Sequence, residues 1–237
     1  GTLSMLVSEV TGEPDAIMAV HHFLIDRNLE RLTSDVEVVK KKPEVDWVSF
    51  SKFGVVPEIE LRKRSIDPDQ ARSHGIRWDT SRAAWIIPIV DQFGDLQGWQ
   101  TKAKDWVRNF PIGVKKSESL FGIERFKGGT AILVESPLDV VRFASAFDKP
   151  QALATFGAAV SDKQIGLLAS VADKVIIAMD NDDAGKQSSK KFFKDLPYFR
   201  KGVWWWDYSR TTAKDIGDMT NDEIELGLLN SSQMPNY

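Results

Sequence analysis

From residue 130 onward, short apolar runs alternate with segments of helical periodicity, and this alternation restricts the fold more than any other sequence feature. Strands are expected at Thr130–Glu135, Ala152–Thr155, Lys174–Asp180 and Val203–Trp206. Helices are expected at Leu138–Phe147, Asp162–Val171 and Asp183–Leu196. Apolar strands that alternate with helices build a mostly parallel sheet with helices packed on its faces. In such sheets, ligands bind at the carboxyl ends of the strands.

Carboxylates stand at or after the ends of three of these expected strands. They are Glu135, Asp180, Asp182, Asp215 and Asp218. Because the carboxyl ends of parallel strands meet at one edge of the sheet, we expect these side chains to lie close together. Clustered carboxylates repel each other unless cations compensate their charge. Hard oxygen ligands select magnesium, manganese or calcium over zinc, so the pattern predicts a divalent metal site.

Several of these acids also have a structural interpretation, although Glu135, at the end of an apolar strand, has no capping role to explain it. Asp182 would favour the N-terminus of the following helix through the helix dipole. Asp139 stands three residues after Ser136, which makes it a candidate capping residue that also faces the site. Asp215 and Asp218 could be ordinary loop acids. Their joint appearance after a strand, in the same order as the other acids, favours the metal site.

The segment 45–129 has a different pattern. Short helices are expected near Glu58–Arg64 and Pro68–Ser73. The apolar run Ala83–Ile89, the turn Asp91–Asp95 and the alternating run Leu96–Lys102 together predict a β-hairpin. This segment is therefore expected to be a small mixed α/β lobe.

Charge and composition narrow the class of protein. Residues 31–130 hold 18 basic and 14 acidic residues, whereas residues 131–237 hold 12 basic and 15 acidic residues. A basic segment followed by an acidic one suits a protein that grips polyanions and also binds cations, although ordinary charge fluctuation gives similar counts. The chain has no cysteine, which excludes disulfides and thiolate-bound zinc within it. No apolar run approaches the roughly 18 residues that span a membrane, so a cytoplasmic protein without a membrane partner is the simplest interpretation.

The order of the acidic motifs resembles the Toprim domain, which is shared by DnaG-type primases, type IA and type II topoisomerases and OLD-family nucleases. The resemblance implies that Glu135, Asp180 and Asp182 are catalytic. It further implies two or more Mg²⁺ or Mn²⁺ ions, held by Glu135, Asp139, Asp180, Asp182, Asp215 and Asp218.

The segment before the acids is similar, piece by piece, to the basic N-terminal lobe of DnaG-type primases, including phage-encoded versions. The matching pieces are Ile59–Arg64, His74–Asp79, Trp85–Ile89, Gly98–Lys102, Arg108–Pro111 and Lys115–Gly122. The resemblance implies an α/β chain, α+β overall, in which a basic lobe at 45–129 precedes a Toprim domain and helical tail at 130–237. The basic residues expected to hold nucleic acid and nucleotide phosphates are Arg64, Lys102, Arg108, Lys115 and Lys116.

The resemblance implies a DNA primase, a nucleotidyltransferase that makes short RNA primers on single-stranded DNA from ribonucleoside triphosphates. Residues 1–44 resemble the helical tail that follows the zinc ribbon of such primases. Because the chain lacks cysteines, that ribbon is expected on a separate polypeptide or to have been trimmed, and a replicative helicase is a further expected partner. The alternatives are a Toprim nuclease, a non-catalytic nucleic-acid-binding module and, least favoured, a topoisomerase.

Overall fold

The computed structural model describes residues 45–149, 151–183, 185–187, 189–190 and 202–233. The helical segment predicted for residues 1–44 lies outside the described residues. The predicted helix after Asp182 is described in part, and residues 183, 185–187 and 189–190 are helical. Within the described ranges, no helix is long and apolar enough to cross a membrane.

The first part of the described chain forms three short helices and an antiparallel sheet. The helices are α1 (Trp47–Ser51), α2 (Glu58–Lys63) and α3 (Pro68–Ser73). The strands are β1 (Arg77–Asp79), β2 (Ala84–Val90), β3 (Leu96–Lys102) and β4 (Val107–Phe110), and they lie side by side in that order. The predicted hairpin is present, since β2 and β3 pair antiparallel around the turn at Asp91–Asp95.

The second part forms a five-stranded sheet. Its strands are β5 (Thr130–Val134), β6 (Ala152–Ala154), β7 (Lys174–Ile177), β8 (Val203–Trp205) and β9 (Ser232–Gln233). The helices are α4 (Pro137–Phe147), α5 (Asp162–Val171) and α6 (Asn221–Leu229). The spatial order is β6-β5-β7-β8-β9, with every pair parallel except β8 and β9. The predicted mostly parallel sheet with flanking helices is therefore confirmed.

Several strands are shorter at their carboxyl ends than their apolar runs suggest. Ala178 and Met179 continue the apolar run beyond the last strand residue of β7 and stay buried, and the N–H of Ala178 still donates to the carbonyl of Leu133 at 2.8 Å. Asp180 follows them, and Glu135 lies just beyond the last residue of β5. The two acids therefore stand at the edge where parallel strands present ligands.

The hydrophobic core joins the two sheets. Trp85, Ile87 and Ile89 of β2 belong to the same buried cluster as Ile132 and Val134 of β5. The opposite face of the parallel sheet is buried beneath other apolar side chains, including those of α5. Burial on both faces explains why β5 and β7 read as continuous apolar runs. The domain boundary predicted at residue 130 falls between the two sheets and stays a prediction.

Candidate functional site

Three carboxylates converge at the carboxyl edge of the parallel sheet. Asp180 follows β7, Asp215 precedes the 3₁₀ turn Ile216–Asp218, and Asp139 lies in the first turn of α4. One oxygen atom of each lies within 4.8 Å of one oxygen atom of each of the others. This set of hard oxygen donors has the chemistry that a divalent cation such as Mg²⁺ requires.

Asp139 belongs to this acidic cluster more clearly than its sequence context suggests. Its side chain is only 3% exposed. Within the described residues, the Ser136 side chain makes no capping hydrogen bond to α4, so the capping interpretation has no support at this helix end. Gly217 packs directly against the pair, because a Cβ atom there would lie 2.8 Å from Asp139 Oδ1 and 3.0 Å from Asp215 Oδ1.

The other three predicted acids surround this cluster. The backbone N–H of Asp180 donates to Glu135 Oε1 at 3.4 Å. The N–H of Asp218 donates to Asp215 Oδ1 at 3.0 Å, which closes the turn that carries both residues. Asp182 Oδ1 accepts from the N–H of Gly185 at 2.9 Å, so this carboxylate caps the helical segment that follows while it flanks the site.

Burial and mutual repulsion raise the pKa values of the clustered acids. Burial raises the pKa of Glu135 to about 7, and the negative charge of Asp180 adds to the shift. Burial also raises the pKa of Asp215, with further increases from Asp218 and Asp180. The pKa of Asp139 lies well above its ordinary value, mainly because of burial and then because of Asp215. A cation bound among these groups would relieve their repulsion.

Lys214 provides part of that compensation. Its Nζ lies 3.2 Å from Asp180 Oδ2 and 3.3 Å from Asp182 Oδ2, and these interactions raise the pKa of the lysine. The carbonyl of Lys214 also accepts from the N–H of Asn181 at 2.6 Å, which joins the two acidic segments. Lys214 was not among the predicted site residues, although its place directly before Asp215 was a usable signal.

Tyr208 supports the strand end that carries Asp180 and was also missed. Its hydroxyl donates to the carbonyl of Met179 at 2.9 Å and lies 3.3 Å from that of Ala178. Burial raises the pKa of Tyr208, and Asp139 is the largest of the acids that add to the shift. A tyrosine that follows a tryptophan-rich run gave no pattern from which this role could be predicted.

Basic side chains of the antiparallel lobe face the acids across a cleft of about 510 Å³. Arg64, Lys102 and Lys116 line it together with the acidic cluster. Lys102 Nζ lies 3.5 Å from Ser136 Oγ, and burial followed by the charge of Arg64 lowers the pKa of this lysine. Lys116 Nζ donates to the carbonyl of Phe156 at 2.6 Å. Cations opposite a metal site suit a ligand that carries phosphates.

The other two predicted basic residues lie elsewhere. Lys115 is exposed and pairs with Glu118 at 3.2 Å. Arg108 lines a second cleft of about 580 Å³ with Trp99 and Trp106, and its guanidinium lies 5.4 Å from the Trp106 ring centroid. Arg108 pairs with Thr101 in the sheet, so the alternation of side chains places it on the face opposite Lys102.

Comparisons with known proteins agree with this architecture. Residues 132–219 match the family model described as Toprim-like. A DNA primase of Aquifex aeolicus is 33% identical over 117 residues, which make up 44% of this chain and 23% of that protein. The primase fragment of the bacteriophage T7 primase-helicase superposes with a TM-score of 0.61 at 19% identity, over 80% of this chain and 82% of the fragment. The DnaG primase catalytic domain bound to single-stranded DNA gives 0.64 at 16% identity, over 78% of this chain and 76% of that domain.

The chain therefore carries a Toprim domain and is related to DnaG-type primases. Its fold is that of the primase catalytic core. The aligned segment spans less than a quarter of the length of the Aquifex protein, and the activity of that whole protein is a proposal for this chain.

Proposed function

We propose that this chain is the catalytic core of a DNA primase, which synthesises short RNA primers on single-stranded DNA by nucleotidyl transfer. One observation carries the proposal. A partly buried cluster formed by Asp139, Asp180 and Asp215 shares a single cleft with the basic side chains of Arg64, Lys102 and Lys116. The likeness to DNA primases supports the same reaction.

The acidic cluster would hold Mg²⁺ or Mn²⁺. Asp139, Asp180 and Asp215 are the closest ligand set, and Glu135 and Asp218 lie beside them in the same cleft. Two such ions, when bound, supply charge neutralisation at the transferring phosphoryl group and activation of the attacking hydroxyl. The raised pKa values of Glu135 and Asp215 support the fit, because these carboxyl groups lose protons more readily once a cation is present.

The basic side chains would bind and orient the phosphates. Lys102 and Arg64 lie opposite the acids, so they are placed to contact a triphosphate whose other oxygens face the cluster. Lys116 is held by the carbonyl of Phe156, which fixes its ammonium at the rim formed by the loop after β6. In this arrangement the nucleotide would be oriented between the acidic cluster and these basic side chains.

Arg108 would act at a different place. We propose that it contacts the nucleic acid in the second cleft, where Trp99 and Trp106 provide aromatic surfaces for bases. Lys115, which is exposed and paired with Glu118, would contribute only to the general field around the lobe. The proposed ligands are a single-stranded DNA template and ribonucleoside triphosphates. A replicative helicase and a separate zinc-ribbon domain are proposed partners.

A priming assay tests this function. The full chain, with a zinc-ribbon domain supplied in trans, is incubated with single-stranded template, labelled ribonucleotides and Mg²⁺ or Mn²⁺. We expect labelled primers from the wild type and none from Asp180→Ala. The matched control is Asp162→Ala, which removes an exposed aspartate from the first turn of α5, away from the cleft, and should leave the yield unchanged.

Equal yields from the wild type and Asp180→Ala would contradict the proposal, as would the absence of primers from the wild type. Cleavage of DNA or RNA by the wild type without added nucleotides, lost in Asp180→Ala, would instead identify a Toprim nuclease.

A further inference from the structure

Arg142 is a buried arginine that has no role in the proposed reaction. It lies on α4, and its side chain is 2% exposed. Arginine is among the residues most rarely buried, because removing its charge from water costs free energy unless strong partners compensate. Its Nη2 donates to the carbonyl of Met219 at 2.8 Å and to Asn221 Oδ1 at 2.7 Å.

These two acceptors lie directly after the acidic turn. Met219 follows the 3₁₀ turn Ile216–Asp218, and Asn221 is the first residue of α6. The turn itself is closed by the bond from the N–H of Asp218 to Asp215 Oδ1. The N–H of Met219 also donates to the carbonyl of Ile216 at 3.3 Å. A displacement of Met219 would therefore be transmitted to Asp215.

The helix that carries Arg142 also carries Asp139. The two residues are three positions apart, so they lie on the same side of α4. Gly217, in the middle of the acidic turn, leaves just enough room for Asp139, since a Cβ atom there would lie 2.8 Å from its Oδ1. The carboxyl groups of Asp139 and Asp215 lie within 4.8 Å of each other, and their repulsion when both are ionised would push the turn away from the helix.

We propose that Arg142 is a positioning residue that clamps the acidic turn to α4 and so fixes the separation between Asp139 and Asp215. The inference rests on the proposed metal site, to which Asp139 and Asp215 contribute. Arg142 does not touch the metal-binding oxygens. It acts through the backbone of Met219 and the side chain of Asn221.

Manganese binding to the full chain tests the clamp. The affinity for Mn²⁺ is measured by calorimetry and by the electron paramagnetic resonance signal of free Mn²⁺. Substitution of a residue that orients metal ligands typically lowers metal affinity by about 10- to 100-fold. We therefore expect Arg142→Met to lower the affinity for Mn²⁺ by at least about ten-fold. Asn221→Ala retains the charge of Arg142 and removes one of the two bonds, and a smaller loss of about three-fold is expected.

Arg125→Met is the matched control. Arg125 Nη1 donates to a backbone carbonyl, that of Ser73, at 2.8 Å, and among the described residues neither its buried Nε nor that of Arg142 has a hydrogen-bond partner. It does not line the acidic cleft. We expect wild-type affinity for Mn²⁺ in this variant, even if its melting temperature falls as far as that of Arg142→Met.

The sign of the change separates the clamp from a simple charge effect. Loss of a positive charge near a cation site would by itself strengthen Mn²⁺ binding, whereas loss of the clamp weakens it. Wild-type or stronger Mn²⁺ binding by Arg142→Met would overturn the inference while leaving the proposed function intact. Wild-type or stronger Mn²⁺ binding by Asn221→Ala would also overturn the inference. This second variant decides the test if Arg142→Met does not fold. A wild-type protein that binds no Mn²⁺ would contradict the proposed function and the clamp together.

Discussion

The raised pKa of Glu135 makes the free energy of unfolding depend on pH. Its pKa is raised from 4.5 to about 7 in the folded protein, so between these values the unfolded chain has lost a proton that the folded chain retains. The free energy of unfolding in metal-free buffer should therefore fall as pH rises from about 5 to 7.5, by roughly 1 to 3 kcal/mol from this group.

Urea unfolding at both pH values, with a chelator present, gives this difference. Glu135→Gln should show a smaller decrease than the wild type. The control Glu118→Gln removes a partly exposed carboxylate whose pKa is lowered rather than raised, and it should not reduce this fall in the free energy of unfolding. An identical pH dependence in the wild type and Glu135→Gln would show that Glu135 does not sit in the environment described here.

Asp180 gives a second test at this scale. Asp180→Asn should abolish Mn²⁺ binding while leaving the melting temperature in metal-free buffer equal to or above that of the wild type. The substitution removes one charge from the repelling cluster, and Lys214 keeps its interaction with Asp182. Thermal unfolding with and without Mn²⁺ measures both quantities. A clear drop in melting temperature without metal would contradict the repulsion argument.

The acids of the site could be predicted because their residue type and their position at strand ends carried the signal. Tyr208 and Arg142 could not be predicted in the same way. Their roles depend on contacts between segments far apart in sequence, such as the bond from Arg142 to the carbonyl of Met219. For Asp139, the local sequence suggested a helix cap. Its tertiary position instead brings it into the acidic cluster.

At the scale of elements, two helical glycines predict opposite effects of alanine. A Cβ atom at Gly227 of α6 would collide with the indole of Trp206, whereas a Cβ atom at Gly166 of α5 would meet none of the described residues within 4 Å. Gly227→Ala should lower the free energy of unfolding by about 1 to 3 kcal/mol through overpacking. Gly166→Ala should raise it by about 0.5 to 1 kcal/mol, because alanine favours a helix.

Urea denaturation of the two variants beside the wild type measures these changes. If Gly227→Ala is as stable as the wild type, α6 does not pack against Trp206 as described.

The apolar elements could be predicted from sequence, and the polar strands could not. The parallel strands were visible as apolar runs, even where they span only three residues, as β6 and β8 do. The strands β1, β4 and β9 were missed because most of their residues are polar and only pairing with a neighbouring strand defines them. The exact carboxyl end of β7 was also missed, because the chain remains apolar for two residues beyond the strand.

For the whole molecule, the role of a basic side chain depends on whether it lies in the acidic cleft. Lys102→Glu reverses a charge inside the acidic cleft, and Lys115→Glu makes the same change at an exposed position. We expect Lys102→Glu to weaken single-stranded DNA binding by about ten-fold and to reduce the slope of log affinity against log salt by about 1. Lys115→Glu should change affinity much less.

Fluorescence anisotropy of labelled DNA at several salt concentrations measures both values. Equal effects of the two substitutions would mean that the basic lobe acts only through its overall charge.

The predicted lobe and sheet were sufficient to expect basic residues near the acids. The strand register was needed to show that Lys102 and Arg108 lie on opposite faces of the antiparallel sheet.

We propose that acids at the carboxyl edge of the parallel sheet and cations of the preceding lobe form a single site for a metal-bound nucleotide. The decisive experiment is diffraction from crystals of the full chain grown with Mn²⁺ and a non-hydrolysable ribonucleoside triphosphate. We expect anomalous density among Asp139, Asp180 and Asp215, with the triphosphate extending toward Lys102 and Arg64. Manganese bound away from these carboxylates, or a triphosphate seated in the second cleft beside Arg108, would contradict it.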